Sequence, residues 1–249
     1  MKKIAFTNQK GGVGKTTTTV NVGAGLSLMG KKVLVIDLDP QANLTYSLKM
    51  RTSKLEKTVY DVLKGDVEAR DAIMTHGSFD LMPSSLELSG AELELANEPA
   101  RECLLRDAID VLYEYDYILI DCPPNLGLLT LNAFTAVEEV IIVLQSEYLA
   151  LHGLSKLMNV IEVVQKRLNS SLEVAGIICT LYDSRKNLNR EVVGHIRDHF
   201  GSKVFKTVIR DNVALAEAPS HHKTIFEYDD ASNGAKDYFA LAKEIRNGH

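Results

Sequence analysis

The sequence feature that most constrains this chain is the loop Lys-Gly-Gly-Val-Gly-Lys-Thr-Thr at residues 10–17. It follows an apolar, strand-like run at 3–7. It precedes a segment with helical periodicity, which we predict to start near Gly14 and to end at Gly30. Glycines let a backbone curl so that successive N–H groups point inward, and the positive end of the next helix strengthens their field. A strand, such a loop and a helix in succession are typical of a phosphate-binding site.

The side chains of this loop favour a nucleotide that carries Mg²⁺. Lys15 can reach the β and γ phosphates, and the Thr16 hydroxyl can ligate the metal. A glycine-rich turn with a solvated lysine is the alternative, but it would not require the flanking strand and helix. The predicted nucleotide-binding residues of the loop are Lys10, Gly11, Gly12, Val13, Gly14, Lys15, Thr16 and Thr17.

Short apolar runs alternate with longer segments of helical period along the 249 residues. Runs such as VLVID at 33–37 are apolar at nearly every position, as expected when helices cover both faces of a parallel sheet. We therefore predict an α/β fold with a doubly wound, mostly parallel sheet flanked by helices, and one domain over residues 1–249. The stretch 49–86 has the least regular pattern, and we predict that it forms a peripheral excursion. The predicted strands are 3–7, 32–36, 79–82, 117–120, 140–144, 174–181 and 204–209.

Composition limits the partners and the compartment. With 28 Lys plus Arg against 33 Asp plus Glu, the net charge is −5, so nucleic-acid binding would need a local basic patch. The cysteines Cys103, Cys122 and Cys179 are too irregularly spaced for a disulfide framework or a zinc site, which favours a reducing cytosol. Neither the short apolar run near the N-terminus nor the mixed-charge segment 235–246 favours a membrane partner.

Acidic residues end two of the predicted strands. Asp37 and Asp39 are two residues apart and therefore point to the same side of an extended backbone, where both could face a metal. Asp121 follows the apolar residues YILI. Each could singly be a helix cap or a loop residue, but acids at strand ends beside a phosphate loop favour a metal–nucleotide site. No strong general base is obvious, so ATP hydrolysis should be slow until a partner completes or orders the site.

The loop departs from the common P-loop pattern, because Gln9 stands where that pattern has glycine and Lys10 is an additional lysine. This deviant Walker A pattern, KGGxGKT, resembles that of the ParA/Soj/MinD partitioning ATPases. The ParA/Soj branch fits better than MinD, since the DLDPQ and AEAPS segments are present and the C-terminal membrane-targeting helix of MinD is missing. The chain looks like the short ParA type without an N-terminal helix-turn-helix. Further resemblance lies at 33–43, 117–133, 145–154 and 215–225.

The resemblance implies a role for each site residue. Lys10 would reach across a dimer interface to the phosphates of the other subunit, so that ATP links the dimer, although Lys10 could instead be an ordinary surface residue. Asp39 would position the attacking water, Asp37 would support the Mg²⁺ shell, and Asp121 would match the Walker B aspartate that holds a metal-bound water. The implied catalytic set is Lys10, Lys15 and Asp39, and the implied metal set is Thr16, Asp37 and Asp121.

Adenine recognition is implied by a weaker match. Relatives line the base with the asparagine of a Pro-Arg-Asn-Val segment, and this chain reads Arg210-Asp211-Asn212-Val213. Asn212 matches that asparagine, while Arg210 replaces the proline. We therefore expect both Arg210 and Asn212 beside the nucleotide.

The resemblance also implies DNA binding without sequence preference by an ATP-bound dimer. Basic residues on or near one predicted helix, and others after it, could form the patch; a solvated helix face with balanced charges is the alternative. Asp211 and Ala214 stand where basic residues are frequent in the family. The candidates are Arg185, Lys186, Arg190, Lys206 and Lys223, with Arg197, Lys203 and Arg210 nearby.

The combined prediction is an ATPase switch, with ATP and Mg²⁺ as cofactors, that dimerises, binds DNA and partitions or positions a plasmid, a chromosome origin or another cargo. A ParB-like partner or cargo adaptor would stimulate hydrolysis, and the protein would be cytoplasmic and nucleoid-associated. The alternative is a related ATPase that acts on a non-DNA scaffold or as a metal-cluster or biosynthetic enzyme. An iron–sulfur scaffold would need a Cys-x-x-Cys pair, which the sequence lacks.

Overall fold

A computed structural model describes residues 1–48, 57–147 and 150–248, and only the backbone at 150–152. The strands of these residues are β1 (Lys2–Thr7), β2 (Val33–Asp37), β3 (Met74–His76), β4 (Phe79–Met82), β5 (Tyr117–Asp121), β6 (Glu139–Gln145), β7 (Glu173–Tyr182) and β8 (Val204–Arg210). They form one sheet in the order β3-β4-β2-β5-β1-β6-β7-β8. Neighbouring strands are parallel except for the antiparallel pair β3 and β4. The predicted mostly parallel α/β fold is confirmed.

Helices cover both faces of this sheet. The described α-helices are α1 (Lys15–Leu28), α2 (Asn43–Ser47), α3 (Val59–Lys64), α4 (Ala91–Glu94), α5 (Leu104–Ile109), α6 (Leu128–Ala136), α7 (Ala150–Arg167), α8 (Asn187–Phe200), α9 (Val213–Glu217), α10 (Ile225–Tyr228) and α11 (Asn233–Asn247). After α1 the chain reaches Gly30 in the left-handed conformation, with φ of 77°, at the predicted end of this helix. Among the described helices, none is both long and apolar enough to cross a membrane.

The seven predicted strands are all present, each within one residue of its predicted ends. The additional strand β3 was not predicted, because it has only three residues and none of them is fully buried. Together β3 and β4 extend one edge of the main sheet, so the stretch 49–86 is only partly a peripheral excursion. Residues 49–56 of that stretch, and 148–149 of the segment 145–154, lie outside the described residues.

Two buried clusters lie on opposite faces of the sheet, and successive strand residues alternate between them. In β1, Ile4 and Phe6 belong to the cluster that includes α1 and α11, whereas Ala5 belongs to the cluster that includes α5, α6 and α7. All three residues are 0% exposed. Because both faces of the central strands are buried, their sequences are apolar at consecutive positions rather than at alternate ones.

The carboxyl ends of the central strands meet at one edge of the sheet. Asp37, the last residue of β2, is the register partner of Asp121, the last residue of β5. On its other side Asp121 pairs with Phe6 of β1, which continues directly into the loop at 10–17. The fold therefore brings the loop and both acids together at the edge where doubly wound sheets bind their ligands.

Candidate functional site

The loop between β1 and α1 borders a cavity of about 660 Å³. Gly12 and Gly14 adopt φ values of 74° and 89°, in the left-handed region that favours glycine. Gly14 has no side chain that could cap α1, so the first N–H groups of this helix remain available to an anion. Val13 is buried in the core. The loop residues that line the cavity are Gly11, Gly12, Gly14, Lys15, Thr16 and Thr17.

Two buried polar side chains hold the loop against strands β6 and β7. Asn8 donates Nδ2 to the carbonyl oxygen of Val143 in β6 at 2.6 Å, and its Oδ1 accepts from the N–H of Lys10 at 3.0 Å. Thr180 of β7 donates its hydroxyl to the carbonyl oxygen of Val13 at 2.7 Å. Because buried hydrogen bonds are costly to break, these contacts fix the shape of the loop before any ligand binds.

The two lysines of the loop point in different directions. Lys15 is buried, lines the cavity, and its Nζ lies 3.4 Å from the carbonyl oxygen of Lys10. The side chain of Lys10 is 46% exposed and turns toward the end of β6, where Nζ lies 3.1 Å from Gln145 Oε1 and 2.8 Å from Glu147 Oε2. One lysine is thus placed to bind phosphate in the cavity, while the other is at the surface.

Buried carboxylates stand at the strand ends behind the loop. Asp121 accepts from the hydroxyls of Thr16 at 2.6 Å and Thr19 at 3.4 Å. Burial, and then the charge of Asp37, raise the pKa of Asp121 to about 8. Burial likewise raises the pKa of Asp37 to about 6, against the opposing effect of its hydrogen bonds from Thr45. Within the protein, hydrogen bonds and positive charges therefore do not fully compensate for the burial of either carboxylate in its ionised form.

These groups fit a bound Mg²⁺. A cation beside the Thr16 hydroxyl and the Asp121 carboxylate would supply the missing compensation. The carboxylate of Asp37 is engaged with Thr45, so it suits a supporting role. In the part of the chain that the structure describes, no group of three or more His, Cys, Asp and Glu side chains could hold a metal by itself. Mg²⁺ usually takes its further ligands from phosphates and water.

Asp39 differs from the other two acids because it lines the cavity and is only half-buried. Its N–H donates to Asp37 Oδ1 at 3.2 Å, and its Oδ1 accepts from the N–H of Gln41 at 2.9 Å. Asp39 is therefore the one of the three acids that lines the space a ligand would fill.

The far end of the cavity was not identified from the sequence. Val20 of α1, Tyr46 of α2, Leu215 of α9 and the following Pro219 line it, together with Lys223. An apolar recess next to a phosphate-binding loop suits a nucleoside base. The AEAPS segment that contains Pro219 was the available signal, but apart from Glu217 its residues are uncharged and small, and they do not indicate a role by their chemistry.

Arg210 and Asn212 have other contacts. The guanidinium of Arg210 makes a forked ion pair with Asp237 of α11, with Nη2 to Oδ1 at 2.6 Å and Nε to Oδ2 at 2.9 Å. Asn212 caps α9 by accepting from the N–H of Ala214 at 2.9 Å. The described lining of the cavity includes neither Arg210 nor Asn212.

The basic residues predicted for DNA binding fall in three places. Arg185 and Lys186 precede α8, and Arg190 lies in its first turn. Arg185 pairs with Asp183 at 2.9 Å, and its hydrogen bonds lower the pKa of that carboxyl to about 2. Lys206 lies in the edge strand β8, whereas Lys223 lines the cavity. The structure therefore groups Arg185, Lys186 and Arg190 at the start of α8 and separates the other two.

The site combines a preformed glycine loop at the first strand end, a cavity-lining lysine, and acids at two neighbouring strand ends. These features define a P-loop ATPase of the kind with a second lysine in the loop. A family model described as an AAA domain matches residues 1–174. The chain is 49% identical over 247 residues to the sporulation initiation inhibitor protein Soj of Bacillus subtilis (strain 168), covering 98% of each chain. It is 47% identical over 248 residues to the chromosome-partitioning ATPase Soj of Treponema pallidum (strain Nichols), covering 98% of this chain and 96% of that one.

Among solved structures, it is similar to cobyrinic acid a,c-diamide synthase of Mycobacterium smegmatis with a bound ATP analog and magnesium. The TM-score is 0.88 at 37% identity, covering 99% of this chain and 95% of that chain. The chain belongs to the family of Soj/ParA chromosome-partitioning ATPases. The family prediction made from the loop and the strand-end motifs is confirmed.

Proposed function

We propose that this partitioning ATPase is a nucleotide-driven switch that binds MgATP in the cavity, dimerises around it, and as a dimer binds DNA without sequence preference. The observation that carries the proposal is that the two lysines of one loop occupy different positions: Lys15 lines the cavity, whereas Lys10 lies half-exposed at the surface. Lys10 could therefore contact a second subunit while Lys15 binds the nucleotide of its own subunit.

Within the cavity, the proposed roles follow from position and charge. Lys15 and the N–H groups at the start of α1 bind the β and γ phosphates and stabilise the charge that develops on the transferred group. Thr16 and Asp121 hold Mg²⁺, which when bound neutralises phosphate charge, and Asp37 supports this shell. Asp39 orients the attacking water, since it is the one of the three acids that lines the cavity. None of these groups is a strong base, which favours slow hydrolysis until a partner orders the site.

Dimerisation is proposed to depend on ATP for an electrostatic reason. Two copies of the loop that face each other would bring four lysines together, since each copy carries Lys10 and Lys15. Like charges at short range repel unless polyphosphate lies between them. ATP would therefore favour the dimer, and loss of the γ-phosphate would weaken it.

The proposed DNA surface is the start of α8, where Lys186 and Arg190 lie within one turn of each other. With a net charge of −5, the chain needs such a local patch to bind a polyanion. A ParB-like partner or a cargo adaptor would then stimulate hydrolysis and release the DNA, so that a plasmid, a chromosome origin or another cargo is moved or positioned. The protein would act on the nucleoid, in the cytoplasm.

A second candidate is a biosynthetic ATPase, because a solved structure at 37% identity carries the name of a diamide synthase. Such an enzyme would couple ATP hydrolysis to a small substrate and would not respond to DNA. The higher identities, 49% and 47%, are to the two Soj proteins, which favours the partitioning function for this chain.

The decisive experiment is binding of the purified protein to random-sequence DNA with ATP, with ADP and without nucleotide, over a salt series. Binding with ATP only, with an affinity that falls steeply as salt rises, is the expected result. Absence of binding in every state, with ATP turnover intact, would overturn the DNA-tethered switch and favour the second candidate.

A further inference from the structure

Four residues form a closed ring of hydrogen bonds behind the Asp39 carboxylate. Asp37 accepts from the N–H of Asp39 at 3.2 Å, from the N–H of Thr45 at 2.9 Å and from the Thr45 hydroxyl at 2.6 Å. The Thr45 hydroxyl oxygen accepts from the N–H of Ser84 at 2.9 Å. Ser84 closes the ring, because its hydroxyl donates to the carbonyl oxygen of Asp39 at 2.8 Å.

The ring holds the Asp39 backbone on both sides. Its N–H is bound by the carboxylate of the preceding strand end, and its carbonyl by Ser84, two residues beyond the end of β4. Thr45 and Ser84 are both 0% exposed, so water cannot readily replace their hydrogen bonds. Neither is among the described residues that line the cavity. They can therefore affect a bound nucleotide only through the residues that they hold.

We propose that Ser84, together with Thr45, is a positioning residue for ATP hydrolysis: it fixes the Asp39 main chain so that the Asp39 carboxylate stays aimed at the attacking water. This inference rests on the proposed role of Asp39. A carboxylate on a half-buried turn has several backbone and rotamer options, and catalysis needs one of them. The proposed phosphate ligands are the glycine loop and Lys15, which are not members of the ring. Loosening the ring at Ser84, the member farthest in the ring from Asp37, should therefore slow turnover without weakening ATP binding.

The test measures kcat, KM for ATP, affinity for a fluorescent ATP analogue, and melting temperature of the purified full chain. Ser84→Ala removes the bond to Asp39 but keeps the backbone bond to Thr45. Thr45→Val removes the hydroxyl at nearly constant shape, and Thr45→Ser restores it. The matched control is Ser85→Ala, because Ser85 is similarly buried, at 4% exposure, and its hydroxyl bonds to Glu87 instead.

We expect Ser84→Ala to lower kcat by roughly ten- to a hundredfold with KM and analogue affinity within about twofold. Thr45→Val should lower kcat at least as much, and its affinity for the analogue is compared without Mg²⁺, because the lost hydroxyl also bonds to Asp37. Thr45→Ser should recover most of the loss seen with Thr45→Val, and Ser85→Ala should behave as the unaltered protein. A folded Ser84→Ala with unchanged kcat, or one that loses binding and turnover in parallel, would overturn the inference. Should Ser84→Ala melt too low to assay, the contrast between Thr45→Val and Thr45→Ser decides the same point.

Asp39→Ala separates this inference from the function on which it rests. If Asp39→Ala retains ATP binding and loses turnover while Ser84→Ala is fully active, the positioning role fails and the role of Asp39 stands. If Asp39→Ala itself hydrolyses ATP at the normal rate, the proposed role of Asp39 fails, and the ring has no catalytic group to position.

Discussion

The Nζ atom of Lys10 lies 2.8 Å from Oε2 of Glu147 within the same chain, and both side chains are about half-exposed. An ion pair of this kind contributes only about 0–1 kcal/mol, since both partners are solvated and screened by salt. Glu147 can therefore hold Lys10 in place through an ion pair that is easily broken. If Lys10 binds phosphate on a second subunit, it has to leave Glu147, and that exchange would cost little.

Lys10→Ala should lower the association constant of the ATP-bound dimer by at least roughly tenfold, because hydrogen bonds to charged groups contribute about 1.5–3 kcal/mol each. Glu147→Gln should leave dimerisation intact or strengthen it by up to about fivefold. Light scattering in ATP measures both. Lys31→Ala, which removes an exposed lysine near Asp116, is the control. An unchanged dimer fraction in Lys10→Ala would contradict the proposed role across the interface.

Much of the fold could be predicted because the central strands are buried on both faces. Residues such as Ile4 and Ala5 face opposite clusters, so the strand is marked by consecutive apolar residues, a pattern that sequence inspection detects. The glycine loop and the strand-end acids were found for a similar reason, since their chemistry requires those residue types. In contrast, β3 is short and lies at the sheet edge, where little burial constrains its sequence.

The parts of the site that escaped prediction depend on contacts between distant segments. Ser84 meets Asp39 across 45 residues, and serine is common enough that its position in the sequence indicates nothing. Arg210 stays a predicted nucleotide-site residue, but its ion pair with Asp237 was not predicted, because Asp237 lies on a helix whose placement against β8 cannot be deduced from either residue alone. Tertiary contacts, rather than local pattern, decide such cases.

Arg210→Ala should reduce stability and leave nucleotide affinity within about twofold. Asp237 also accepts from the N–H of Arg210 at 3.0 Å, so the ion pair ties the end of β8 to α11. The Arg210 side chain is 42% exposed, which limits the loss to about 1 kcal/mol, or roughly 2–4 °C in melting temperature. Asp237→Asn should act in the same direction. Loss of nucleotide affinity at unchanged melting temperature would instead favour a place for Arg210 in the nucleotide site.

Lys186→Ala and Arg190→Ala should each reduce the slope of log K for DNA against log salt by about 0.9, the value for one phosphate contact. Arg185→Ala should have a smaller effect, because Asp183 already neutralises that guanidinium. Lys166→Ala is the matched control, since Lys166 is 75% exposed and lies in the last turn of α7. Equal effects of Lys166→Ala and Lys186→Ala would mean that no particular patch binds DNA.

Asp121 predicts how the metal-free protein should respond to pH. Its pKa is raised to about 8 in the folded chain, from 3.8, so folding holds this proton more tightly than the unfolded chain does. Its contribution to stability is therefore most favourable at low pH and is lost as pH rises toward 8. The neutral variant Asp121→Asn avoids this loss. We expect it to melt above the unaltered protein at pH 9 in chelator, by roughly 2–4 °C for each kcal/mol, with a difference that shrinks toward pH 6.

Magnesium should reverse the order of the two proteins. With ADP and Mg²⁺, the unaltered chain should gain melting temperature through Asp121 and Thr16, while Asp121→Asn should gain less because the charge that attracts the cation is missing. Asp183→Asn is the control for pH, because the pKa of Asp183 is lowered to about 2 and its contribution is constant between pH 6 and 9. A difference in melting temperature between Asp121→Asn and the unaltered chain that changes neither with pH nor with Mg²⁺ would contradict the proposed role of Asp121 in binding the cation.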